Sequence, residues 1–193
     1  MTVGVLLLAA GESRRFGSDK RRARLPHGPR LLTVVVDTVR RTGLPLRVCL
    51  RPGEASLAEE SGLESGEVLV CTQAAGGMGH TLAEGVAQLP SWAGVLVALA
   101  DMPGIRVDTF CQAAAALTPE RIVVPEFRGR PGHPVGFGRD WFPRLRQSTG
   151  DAGARALVQE AGGLCDRLAV TDAGILRDID YPDDLGGWST GPA

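Results

Sequence analysis

Apolar residues in this chain fall into short unbroken runs, separated by stretches in which they recur every three or four positions. Unbroken runs without polar alternation predict strands buried on both faces. Val3–Leu8, Leu46–Leu50 and residues 67–71, 95–100 and 121–124 fit that description, and 164–170 and 174–177 fit it more weakly. The helical period covers 31–42, 54–61, 79–89 and 107–117, then 139–147, 152–160 and Pro182–Leu185. The run Val34-Val35-Val36 is β-rich by propensity. Leu32, Val35, Val36 and Val39 nevertheless share one helical face, and Gly43 follows as a C-terminal stop. Strands alternating with helices predict an α/β fold: a three-layer α/β/α sandwich around a mostly parallel sheet. Ligands of such sheets bind beyond the carboxyl ends of the strands.

The 193 residues suit a single domain, taken as 1–188 with a tail at 189–193. An apolar fraction of 44% and a charged fraction of 22% are those of a soluble globular protein. A formal net charge of −1 argues against nucleic acid or an anionic membrane as partner. No apolar run approaches the ~18 residues of a membrane span, and no signal peptide is recognisable, so a cytoplasmic location is expected. Cys49, Cys71, Cys111 and Cys165 form no C-x-x-C pair, and the first two sit in strand-like runs as small hydrophobes.

Chemistry concentrates first at residues 5–20. The opening strand ends in Ala9-Ala10-Gly11, then Ser13, Arg15, Gly17 and Lys20 follow. Small residues let backbone approach a ligand, and successive free N–H groups make an anion-binding concavity. Two cations beside such a turn predict a polyphosphate site. The glycine spacing is neither that of a Walker loop nor that of the Gly-x-Gly-x-x-Gly dinucleotide fingerprint. Asp101 follows the most strand-like run, where a central strand would deliver a carboxylate to the same mouth, and Pro103 fixes the backbone after it. Mg²⁺ takes one or two carboxylates together with phosphate oxygens. The alternative, a helix N-cap, fits poorly because the helix starts near Val107.

Gly77-Met78-Gly79 precedes a helix that carries Thr81, and its N-terminal N–H groups could face a ligand. In Gly132-His133-Pro134 the histidine is expected in an exposed, rigid loop, facing either substrate or structure. Asp151 would N-cap the helix from Ala152, and Arg155 would either pair with Asp151 or reach an anionic substrate. Asp178 and Asp180 share one side of an alternating segment. Asp183 and Asp184 read as first-turn helix acids.

Residues 9–20 resemble the Ala-Ala-Gly-x-Ser-x-Arg-x-Gly-x-x-Lys signature of MobA-like NTP transferases. Further elements match in order: Gly77-Met78-Gly79, Asp101-Met102-Pro103, Gly132-His133-Pro134-Val135, Gly150–Arg155 and 177–185. Within the family the pattern is closest to the molybdopterin cytidylyltransferase branch. Departures are the basic stretch Arg21-Arg22-Ala23-Arg24, where apolar residues are usual, and Tyr181 in place of Thr.

The resemblance implies a Rossmann-like nucleotidyltransferase fold and transfer of a nucleoside monophosphate from CTP to the phosphate of molybdopterin. Arg15 and Lys20 would hold the triphosphate. Ala9, Ala10, Gly11, Ser13, Gly77, Met78, Gly79 and Thr81 would line the nucleotide. Asp101, with Asp180, would hold Mg²⁺, and His133 and Arg155 would face the acceptor. The partners implied are small molecules and, at most, an apo-molybdoenzyme. Competing expectations are GTP or another small phosphate as substrate, and a non-enzymatic protein that delivers nucleotide or cofactor.

Overall fold

The computed structural model describes residues 2–26, 28–151 and 153–186, so the proposed 189–193 tail lies outside the described residues. Its centre is one eight-stranded sheet. β1 (Val3–Leu8), β2 (Leu46–Leu50), β3 (Val68–Val70) and β4 (Gly94–Leu99) are parallel, in the spatial order β3-β2-β1-β4. The chain winds outward through α1 (Leu31–Arg41) and α2 (Ala55–Glu60), and α3 (Met78–Ala87) carries it back across β1 to β4. The winding direction therefore reverses between β1 and β4, which opens a crevice at their carboxyl ends.

Beyond β4 the sheet turns mixed. After α4 (Val107–Ala116) come β5 (Ile122–Phe127), β6 (Arg130–Pro131) and β7 (Val135–Gly138). β7 inserts antiparallel between β4 and β5, and β8 (Cys165–Ala169) runs parallel to β5. Strands β6 and β7 were not expected from the sequence. Their few residues include Gly136 and Gly138, and at both a Cβ would press on neighbouring chain. Glycine there serves close packing and hides the strand signal.

The two faces of the sheet carry separate cores. α1, α2 and α4 cover Val5, Leu7, Leu96 and Ala98 on one face. On the other, α3, α5 (Phe142–Leu145) and α6 (Arg155–Glu160) cover Leu6, Val95, Val97 and Phe137. Three layers result, as the alternation of elements predicts. Several local expectations are corrected. Residues 174–177 belong to a 3-10 turn, Ala173–Leu176, rather than a strand, because buried Asp172 accepts the Gly174 N–H and caps it. The stretch 139–147 is a 3-10 turn, Arg139–Trp141, followed by the single-turn α5. Ala154 rather than Asp151 caps α6, which begins at Arg155 after the positive-φ glycines Gly150 and Gly153; Ala152 lies outside the described residues. No described helix is long and apolar enough to cross a membrane.

Candidate active site

The crevice at the ends of β1 and β4 is a cavity of about 450 Å³. One wall is the loop after β1. Ala9 and Ala10 are buried there, while Gly11 is open, with space where a Cβ would stand. Among the described residues no acceptor binds the N–H groups of Ala10, Gly11, Glu12 or Ser13. Ser13 has a φ of +53°, and its Oγ accepts the Lys20 N–H at 3.3 Å, so the loop folds back on itself. Phe16 anchors the loop by packing with Leu25, Leu31 and Ile179 in a small third core. Sequence reasoning passed over Phe16, whose signal is a lone aromatic inside an otherwise polar loop.

That anchor explains how three distant segments meet. Ile179 donates its N–H to the Asp101 carbonyl at 2.9 Å, which docks the C-terminal segment against the end of β4. Lys20 Nζ then donates to Asp101 Oδ2 (2.8 Å), Asp180 Oδ1 (3.0 Å) and the Ile179 carbonyl (2.8 Å). Arg15 closes the outer side on Asp180 Oδ2 at 2.7 Å. Burial works against the Lys20 charge, but Asp101 and Asp180 overcome it and hold the ammonium above its usual value. Burial likewise pushes the Asp180 carboxyl up, and hydrogen bonds from Lys20 and Arg15 bring it below the usual range.

Asp101 Oδ1 is buried without any hydrogen-bond partner. A buried carboxylate oxygen with nothing to accept is costly unless a cation or donor arrives. The described residues gather no group of three or more His, Cys, Asp or Glu side chains fit for a metal. Asp101 therefore fits a hard cation that shares its shell with substrate oxygens and water, as Mg²⁺ does; Asp180, bonded through both oxygens to Lys20 and Arg15, would join it only by giving up one of those bonds.

The remaining expected residues divide between two neighbouring cavities. Ala9, Ala10, Gly11, Ser13, Gly77, Met78, Thr81, Lys20 and Asp101 line the first. Gly79 does not; its N–H donates to the Gly150 carbonyl at 2.7 Å, and a side chain there would meet Thr149. Arg15 stands outside the lining and is well exposed, whereas Arg14 and Arg21 belong to it. Asp178 is exposed and turned away from Lys20's contacts. His133 and Arg155 line a second cavity of about 580 Å³, which shares Leu8, Met78, Leu99 and Asp151 with the first.

The histidine is not in an exposed loop. Its ring is packed inward with Nδ1 3.4 Å from the Val97 carbonyl, and burial lowers its pKa, because Gly132 closes tightly on Ile175. Arg155 makes no ion pair with Asp151 among the described residues. Arg21, which the sequence offered only as part of a basic run, is buried; it donates to Asp19, to Glu54 and to the Ala9 carbonyl.

Residues 5–165 match the model of the MobA-like NTP transferase domain. The chain belongs to the MobA-like NTP transferase family. It is 32% identical to the purine catabolism protein PucB of Bacillus subtilis, over 94% of this chain and 93% of that protein. Nicotine blue oxidoreductase of Paenarthrobacter nicotinovorans is 28% identical over 93% of both chains.

Among solved structures, Rv0371c of Mycobacterium tuberculosis superposes with a TM-score of 0.81 at 25% identity, covering 97% of this chain and 96% of that one. Rv0371c has also been solved in complex with manganese, at a TM-score of 0.79. A nucleotidyl transferase from Methanothermobacter shares the fold at a TM-score of 0.79 and 18% identity, over 96% of this chain and 95% of that one. This MobA-like chain is thus a nucleotidyltransferase by family, with a Rossmann-like nucleotide-transferase fold, acting on small molecules.

Proposed function

We propose that this chain transfers the CMP group of CTP to the phosphate of a molybdopterin-type acceptor and releases pyrophosphate. The observation that carries the reading is the unpartnered Asp101 Oδ1, in a carboxylate that bonds the Lys20 ammonium and lines the same cavity as the loop of free N–H groups at the β1/β4 switch point. No protein nucleophile is required, because an acceptor phosphate oxygen attacks the α-phosphorus directly and pyrophosphate leaves. The protein's work is positioning and charge neutralisation.

The N–H groups of residues 10–13 receive phosphate oxygens, and Gly77, Met78 and Thr81 bound the nucleoside across the cavity. Lys20, fully charged and held between two carboxylates, supplies a fixed cation against the negative charge that develops on the leaving pyrophosphate. Asp101 and Asp180 would hold Mg²⁺, which when bound supplies charge neutralisation at the phosphates. His133, whose pKa burial lowers, and Arg155 border the space for the acceptor. An apo-molybdoenzyme that receives the product is the partner this reading implies.

The test is pyrophosphate release from CTP, GTP, ATP and UTP, each with Mg²⁺ and molybdopterin. Turnover with CTP well above the others is expected; a clear preference for GTP overturns the cytidylyl assignment. The name of the Paenarthrobacter relative motivates one further arm, NAD(P)H with a quinonoid dye. Dye reduction without nucleotidyl transfer would overturn the transferase reading.

A further inference from the structure

The second cavity contains a residue that neither the family motifs nor the proposed mechanism uses. Its floor is one sheet face, read across from β4 to β8: Val97, Val135 and Phe137, Val124, then Arg167. Arg167 pairs in register with Val124, so both side chains stand on that face. The alternation breaks the pattern of the floor, since every other floor position is apolar. Leu82 of α3 and Val158 of α6 close the cavity from above.

Two arginines near this cavity find carboxylates, Arg121 with Asp166 and Arg144 with Glu160. Among the described residues the side chains of Arg167 and Arg155, which line the cavity itself, have no ion-pair or hydrogen-bond partner. Position in the sheet separates Arg167 from the reacting centre. Asp101 follows β4, and β8 lies three strands away, about 14 Å at ~4.8 Å per strand. Arg167 is therefore too far along to bind the attacking phosphate beside Asp101.

The geometry points to an elongated acceptor whose flat ring body lies on Val97, Val135 and Val124 and whose far end, opposite the phosphate, presents an oxygen acceptor that Arg167 binds. This rests on the assignment of the second cavity to the acceptor. It makes Arg167 a specificity-determining residue for the distal half of that molecule, with Arg155 beside the body.

Two fluorescent probes separate the ends. 2-Naphthyl phosphate carries one anion, and 6-carboxy-2-naphthyl phosphate carries a second at the opposite end of the same ring. Titrated onto the full chain, the two-ended probe should bind about tenfold more tightly, the worth of one charge-assisted contact. Arg167→Ala should abolish that ratio and leave the affinity for 2-naphthyl phosphate as it was, and Arg167→Lys should restore part of it. Equal affinity for the two probes in the unmodified protein overturns the proposal, as does a ratio that survives Arg167→Ala. A ratio lost in Arg155→Ala but kept in Arg167→Ala overturns the assignment to Arg167. CTP-dependent pyrophosphate release is measured separately, so failure of the transferase reading is seen there and not in the probe ratio.

Discussion

Lys20 and Arg21 are neighbours on one 3-10 turn, yet their charge networks have opposite characters. Arg21 is saturated. Its guanidinium is buried, bonded to both oxygens of Asp19, both of Glu54 and the Ala9 carbonyl, and Arg51 completes Glu54. Lys20 is also fully bonded, but its network ends on Asp101, where one buried oxygen is left without a partner. A closed network holds backbone, here the Ala9 carbonyl at the root of the loop after β1. An open one presents charge to something not yet there. Basic residues one position apart thus take up scaffolding and chemistry, and only the count of satisfied atoms tells them apart.

The largest effect should come from the open end. Asp101→Asn keeps the size of the side chain and removes the charge a hard cation needs, so turnover should fall on the order of a thousandfold with the melting temperature nearly unchanged. Near-normal Mg²⁺-dependent turnover would remove Asp101 from the mechanism. Arg21→Met should do the reverse and act first on stability. Asp19 and Glu54 would keep only Arg22 and Arg51, and the Ala9 carbonyl would lose its buried donor. Breaking such a buried pair costs about 3 kcal/mol, which lowers Tm by roughly 10 °C in a chain of this size. Thermal unfolding checks it. Lys20→Met should cost about 3 kcal/mol of barrier, roughly a hundredfold in kcat, and far less in Tm. If the Lys20 and Arg21 variants lose activity and stability in the same proportion, the contrast between the two networks is wrong.

Acid titration sharpens the same contrast. Burial pushes both Asp19 and Glu54 up, but hydrogen bonds from Arg21 outweigh it and leave each below its ordinary pKa. A carboxylate lowered by folding means that the unfolded chain binds more protons in that range, so stability rises with pH. The stabilisation is complete above the ordinary carboxylate values of about 4 and is lost as pH falls through the lower, folded ones. Urea unfolding between about pH 5 and pH 2 should therefore show a steep acid limb that Arg21→Met flattens. Lys20→Met should flatten it less, acting through Asp180, whose carboxyl also has Arg15. An acid limb unchanged by Arg21→Met would show that other groups set it.

Much of this was legible in the sequence where local pattern and tertiary role agree. β1 and β2 were bounded correctly because a fully buried parallel strand is a continuous apolar run. Lys20 and Asp101 stood out because each follows a strand end at the mouth of the sheet. What escaped depends on contacts between distant segments. Arg21 lies in a basic run that looks solvated until Glu54, after Arg51-Pro52-Gly53, comes to meet it. Strand β7 was hidden because its packing glycines carry no β signal, and β6 because it is two residues, Arg130-Pro131, one of them proline. Asp180 was expected to share its side with Asp178, but residues 177–180 form no strand, so the alternation does not hold and only Asp180 meets Lys20.

The smallest expected effect concerns base choice within the first cavity. Ala10 is buried and lines that cavity, so under the proposed function its methyl would take up space beside the nucleotide. Gly11, next to it, has open space around the missing Cβ and restricts nothing. A methyl at position 10 should favour the smaller pyrimidine over a purine. One methyl group in a pocket is worth about 1–3 kcal/mol at most, and Ala10 does not have the positive φ that would make glycine gain otherwise. Ala10→Gly should therefore narrow the CTP-over-GTP binding ratio by roughly tenfold while leaving the Asp101 and Lys20 chemistry in place. Calorimetric titration of both nucleotides with Mg²⁺ into the two proteins gives the ratio. If CTP and GTP lose affinity together, the substitution has loosened the phosphate loop, and the methyl does not select the base.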